Sequence, residues 1–192
     1  MLKQKLKPYN VILASGSPRR QQYLRDLDID FSIQLKEIEE IYPKELKGAE
    51  ITDFLADLKS KAFTDLQEKD VLITSDTIVW LENKAFGKPK DVKEAFSMLR
   101  ALSGKKHEVI TSISIKRLSF QKIINDTTTV TFKELTDAEI QYYINTYKPF
   151  DKAGGYGIQE WIGFIGIENI EGSYFNVVGL PVHKLYKELM NL

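Results

Sequence analysis

The sequence predicts an α/β fold. Short apolar runs alternate with stretches of helical periodicity along the 192 residues. Two of those runs, 11–14 and 71–74, read as buried strands, and two later ones, 107–116 and 122–132, alternate or are β-rich in the manner of an antiparallel pair. Taken in order, strand 11–14 stops at a small, hydroxyl-rich turn, where Ser17 suits a helix N-cap and Pro18 the first helical position. The helix runs over 18–27, with Tyr23, Leu24 and Leu27 as its apolar contacts. A short strand at 31–35 and a polar loop at 37–48 follow. Thr52 caps a helix over 53–66 that puts Phe54, Leu55, Leu58, Ala62 and Phe63 on one face.

Strand 71–74 leads to Ser75-Asp76-Thr77. Residues 78–81 continue extended, and Glu82-Asn83-Lys84 turns into Ala85-Phe86. Asp91 and Glu94 form a capping-box-like pair for a helix to Leu102, stopped by Gly104. Thr136-Asp137-Ala138-Glu139 is a second capping box and opens a helix to Tyr147. The glycine-rich segment 153–166 is expected to carry strands and turns, and Pro181 opens a terminal helix with Leu185, Leu189 and Met190 as its apolar positions.

Composition bounds the function. The chain is long enough for one domain with a real core, or one domain of two lobes. Lys plus Arg and Asp plus Glu both number 27, so the net charge is zero, which argues against a protein held on nucleic acid by bulk charge. There is no cysteine, which excludes disulfides, thiolate catalysis and cysteine-based zinc sites. The basic segment 1–7 is not followed by the apolar region of a signal peptide, and no apolar run reaches membrane-spanning length, so a cytoplasmic protein is expected.

Several constellations can carry chemistry, and each has a bland alternative. Ser15-Gly16-Ser17-Pro18-Arg19-Arg20 lies between a strand and a helix start. There, orphan N–H groups and two guanidiniums make a polyphosphate cradle, or simply a junction with two solvated arginines. Asp76, at the end of a buried strand, suits a hard cation or an attacking water, or is a turn aspartate bonding its own backbone. Glu37-Ile38-Glu39-Glu40 completes a metal site or is a solvated acidic loop. Lys61 and Lys88 neutralise phosphate charge or are ordinary surface lysines. In 151–159, Gln159 offers both a donor and an acceptor to a base edge, whereas Tyr156 stacks on a base or packs in the core. The two histidines have no metal-type spacing, and P-loop, dinucleotide and serine-hydrolase motifs are absent.

These motifs, in order, resemble those of the Maf family of nucleoside triphosphate pyrophosphatases. The resemblance runs from Val11 to about Leu189. It rests on Ala14-Ser15-Gly16-Ser17-Pro18-Arg19-Arg20, Glu39-Glu40, Lys61-Ala62, Ser75-Asp76-Thr77, Lys88-Pro89, 151–159 and Val178-Gly179-Leu180-Pro181. It implies a mixed twisted sheet with flanking helices and two lobes around a cleft, similar to the inosine triphosphate pyrophosphatase class. One such domain would span 1–192, with 1–8 as an N-terminal extension. It further implies hydrolysis between the α and β phosphates, dependence on a divalent cation (Mg²⁺ or Mn²⁺), and a cytoplasmic homodimer; the balanced charge and the lack of a spanning apolar run add the expectation that it binds neither nucleic acid nor membrane.

Within the family, Arg19, Thr77 and Gln159 match the group acting on dTTP and UTP, and would select the base. Ser15, Ser17 and Arg20 would hold the triphosphate, Lys61 and Lys88 would stabilise the leaving group, and Glu40 and Asp76 would hold the metal. Asp76 would also receive or orient the proton of the attacking water. The chain departs from the pattern at Ser60, where relatives often have Glu, and at Glu160, where glycine is common. The alternatives are a pyrophosphatase for other modified nucleotides and a nucleotide-sensing interaction protein of cell division.

Overall fold

A computed structural model describes residues 1–192. Its centre is a seven-stranded mixed sheet with the order β2-β1-β3-β5-β6-β7, and β4 pairs with β3 off that path. β1 (Asn10–Leu13) runs parallel to both β2 (Phe31–Ile33) and β3 (Asp70–Leu81). β4 (Lys84–Phe86) is antiparallel to β3, after a turn in which Glu82 and Asn83 both take positive φ. β5 (Lys106–Arg117) and β6 (Phe120–Phe132) are neighbours, and β7 (Ile167–Glu171) pairs antiparallel with β6.

The helices are α1 (Leu2–Leu6), α2 (Pro18–Asp26), α3 (Ala49–Lys61), α4 (Val92–Leu102), α5 (Asp137–Tyr147), α6 (Trp161–Gly166), α7 (Tyr174–Val178) and α8 (Val182–Met190). The chain divides into two compact units. One comprises 1–76, 111–126 and 179–192, and the other 77–110 and 127–178.

In the first unit, strand alternation sorts the side chains onto two faces of the sheet. Val11, Leu13, Val71, Ile73, Ile113 and Ile115 form one apolar layer with Leu24 of α2 and Leu180, Leu185 and Leu189 at the C-terminal end. Ile12 and Leu72 pack instead with Phe63 and Leu66, beyond the end of α3. Within residues 1–8, Leu2 and Leu6 stand one helical turn apart, are buried in the larger layer, and bring α1 against α8.

Three expectations are corrected. α3 starts at Ala49 behind Gly48, because Thr52 is fully buried and turns its hydroxyl onto Ala49 O and Ser112 Oγ rather than capping a helix. β3 does not end before Asp76; it runs unbroken through it. The segment 153–166, expected to hold strands and turns, holds turns but no strand: a 3₁₀ turn at Ala153–Gly155, a turn over 157–160, and then the helix α6.

The second unit is built on α4, whose N-cap Asp91 accepts from Glu94 N, and on α5, which has the full reciprocal capping box of Thr136 and Glu139. His107, Phe132 and Tyr156 meet edge to face in its core, with His107 Nε2 2.7 Å from the Tyr156 hydroxyl. Burial lowers the His107 pKa from 6.5 to about 4.

The unfolded chain therefore binds a proton between those values that the folded chain refuses. The neutral ring's contribution is whole above pH 6.5 and is lost as pH falls toward 4, by on the order of 3 kcal/mol. Urea unfolding at pH 7 and pH 4.5 is expected to show a larger loss of stability in the wild type than in His107→Gln. Equal losses in the two proteins would refute this.

Candidate active site

The site lies in the first unit, on the face of β3 that meets α3. Thr74 and Asp76, two residues apart, project to that same face. The Thr74 hydroxyl donates to Ala56 O at 2.6 Å, and Asp76 Oδ1 lies 2.6 Å from Lys59 Nζ, one helical turn further along α3. Glu40 Oε1 approaches the same ammonium at 3.0 Å from the loop after β2. Two carboxylates on different elements thus converge on one cation. The Lys59 and Asp76 side chains are only 16% and 8% exposed, so the pair is shielded from the screening that makes surface ion pairs weak.

Arg20 enters from α2. Its Nε donates to Gly179 O at 2.8 Å and one terminal nitrogen donates to Ser75 O at 2.9 Å. Ser15 Oγ lies at the edge of reach of that nitrogen, at 3.5 Å, and also accepts from Ser17 N. Burial draws the Arg20 pKa down, while Asp76 and then Glu40 oppose that pull. Arg20, Glu40, Lys59 and Asp76 therefore share one electrostatic neighbourhood. Pro18 occupies the first turn of α2 as expected, but Ser17 makes no side-chain cap bond.

The structure separates Lys61 from this group. Its side chain is 67% exposed and pairs with Asp57 one turn back on α3. Two residues advance about 200° around a helix, so Lys59 and Lys61 cannot share a face. Lys59 is the lysine that sequence reasoning missed. The signal for it was the phase of the buried positions Ile51, Leu55 and Ala56, which Lys59 continues.

Arg19 is half-buried in the first turn of α2. Thr77, Lys88 and Gln159 belong to the second unit, with Lys88 and Gln159 both exposed. Tyr156 is a core residue beside His107.

Glu40 and Asp76 are a hard-oxygen pair, and no group of three or more His, Cys, Asp or Glu side chains is placed to hold a metal ion. The pair fits a small divalent cation of the kind held by one or two carboxylates together with water and substrate phosphate. The convergence of both carboxylates on Lys59 Nζ marks the point where positive charge is stabilised.

A carboxylate–lysine–arginine cluster on a mixed α/β sheet defines a protein suited to handling anionic substrates. The fold is that of two solved Ham1 proteins. The one from Staphylococcus aureus has a TM-score of 0.52 at 12% identity, covering 95% of this chain and 98% of its own. The one from Coxiella burnetii has a TM-score of 0.52 at 18% identity, covering 96% and 100%. The Maf-like protein family model matches residues 10–192, and the chain belongs to that family.

A protein of Flavobacterium johnsoniae is 58% identical over 193 residues, with both chains covered completely. One from Bacteroides fragilis is 48% identical over 186 residues, with 96% of each covered. Both are named dTTP/UTP pyrophosphatase. No helix of this chain is long and apolar enough to cross a membrane.

Proposed function

We propose that the chain is a nucleoside triphosphate pyrophosphatase that hydrolyses dTTP and UTP to the monophosphate and pyrophosphate. One observation carries the reading. Glu40, Lys59 and Asp76 meet beside Arg20, in a chain 58% identical, end to end, to a dTTP/UTP pyrophosphatase. Ser15, Ser17 and Arg20 hold the triphosphate, where the start of α2 offers N–H groups and the guanidinium offers fixed charge.

Asp76 orients the attacking water and accepts its proton, and Lys59, with Lys88, opposes the charge that grows on the departing pyrophosphate. Glu40 and Asp76 would hold Mg²⁺ or Mn²⁺, which supplies charge neutralisation on the phosphates when bound. Arg19, Thr77 and Gln159 read the base. The enzyme is a cytoplasmic homodimer that clears surplus or non-standard nucleotides and binds no nucleic acid or membrane. Its balanced charge and lack of cysteine accord with this.

The test is a panel of dTTP, UTP, CTP, GTP and 7-methyl-GTP under one metal condition. The expected result is a preference for dTTP and UTP of about 10- to 100-fold, the discrimination given by one or two base-edge hydrogen bonds left unpaired by the wrong base. Preference for 7-methyl-GTP would reverse the substrate assignment, and tight binding without turnover would favour a nucleotide sensor.

A further inference from the structure

The turn that presents Gln159 is held by a polar clamp lying wholly within the second unit. Lys152, with its side chain 10% exposed, places Nζ 3.0 Å from Glu160 Oε1 and 2.7 Å from Asp151 Oδ1. The other Glu160 oxygen accepts from the Tyr143 hydroxyl, and that hydroxyl in turn accepts the Gly157 N–H at 3.0 Å. Tyr143 is fully buried. Burial, followed by the Glu160 carboxylate, raises its pKa, so the phenol keeps the proton it donates.

Glu160 N also donates to Gly157 O at 3.0 Å, which closes a four-residue turn with Gln159 at its third position. A Cβ would be crowded at Gly157 and excluded at Gly163. A Cβ on Gly157 would lie 3.0 Å from the Glu160 carboxyl carbon and from Lys152 Cε, and one on Gly163 would overlap the Ile158 carbonyl.

We infer that Tyr143 and Glu160, backed by Lys152, are positioning residues for base selection: they fix the turn that aims the Gln159 amide. The inference rests on the reading of Gln159 as a base-reading side chain of a pyrimidine nucleotide pyrophosphatase. A side-chain amide discriminates between bases only when its donor and acceptor are held in place, because a loosely held amide adapts to the wrong edge.

Tyr143→Phe is the sharpest variant, since it keeps the buried ring and removes only the bridging hydroxyl. It is expected to raise KM for dTTP about tenfold and to narrow the dTTP-to-CTP ratio of kcat/KM about tenfold, with kcat within about twofold. Glu160→Gln, which keeps an acceptor for the phenol, is expected to stay within about threefold of the wild type on both measures. Hydrogen exchange of the 156–160 backbone should be faster in Tyr143→Phe than in the wild type.

A Tyr143→Phe enzyme with unchanged KM, base ratio and exchange overturns the inference, and so does one that loses kcat alone. If the wild type cleaves dTTP and UTP while the variant discriminates as it does, only the clamp has failed. If the wild type cleaves neither, the functional reading itself has failed.

Discussion

Asp76→Asn is expected to lower dTTP turnover by roughly 100- to 10,000-fold, the range associated with losing a group that moves or orients a proton in the transition state. Asparagine matches aspartate in size and fits the same place on β3, so the sheet register against β1 (Ile12 with Leu72, Leu13 with Ile73) is unaffected. The change deprives Lys59 of one of its two carboxylate partners and leaves Glu40 at 3.0 Å. Pyrophosphate release from dTTP measures the effect, and a far-ultraviolet circular dichroism melt checks that the fold persists. Turnover within about tenfold of the wild type would remove Asp76 from the chemistry.

The second large effect separates two lysines that lie two residues apart. Lys59→Met is expected to reduce kcat by roughly 100- to 1,000-fold, because it removes the one ammonium shared by Glu40 and Asp76 and leaves both carboxylates without it. Lys61→Met is expected to change kcat by less than about twofold, since a 67% exposed lysine paired with Asp57 contributes at the level of a surface ion pair. Steady-state kinetics on the two variants side by side decide the matter. The reverse order of effects would return the role to Lys61.

That contrast also shows what the sequence made legible. The strands of the first unit and the caps of α4 and α5 are local signals, and each lies where its residues place it: Asp91 and Thr136 cap, and Gly104, at φ 69°, follows the end of α4. Lys61 stands out beside Ala62 in the sequence, on a helix whose expected apolar face takes in Phe54, Leu55, Leu58, Ala62 and Phe63. The buried side is instead set by Ile51, Leu55 and Ala56 against the sheet. Likewise, Thr74 looks like the last residue of an apolar strand, with Ser75 and Asp76 beyond it. They remain strand because each finds a tertiary partner: Ala56 O for the Thr74 hydroxyl, Arg20 for the Ser75 carbonyl, and Lys59 for Asp76.

The misread segments have the same origin. α1 is too short for a periodic signal and is held by burial of Leu2 and Leu6 beside α8. In α6 the glycines that suggested turns are helical, and Gly163 is needed where the helix meets the Ile158 carbonyl. Of the site, the residue types near the chain's start and in β3 were readable from local chemistry, whereas the clamp of Lys152, Glu160 and Tyr143 was not. Its members come from different elements, and only the fold brings the Tyr143 hydroxyl to Gly157 and Glu160.

The central claim is that the Glu40–Lys59–Asp76 cluster serves cleavage of a nucleoside triphosphate between its α and β phosphates. Phosphorus NMR of dTTP incubated with the protein and Mg²⁺ tests it most directly. dTMP and pyrophosphate in equal amounts, formed by the wild type and not by Asp76→Asn, are the predicted result. dTDP with inorganic phosphate, or dTTP left intact by the wild type, would contradict it.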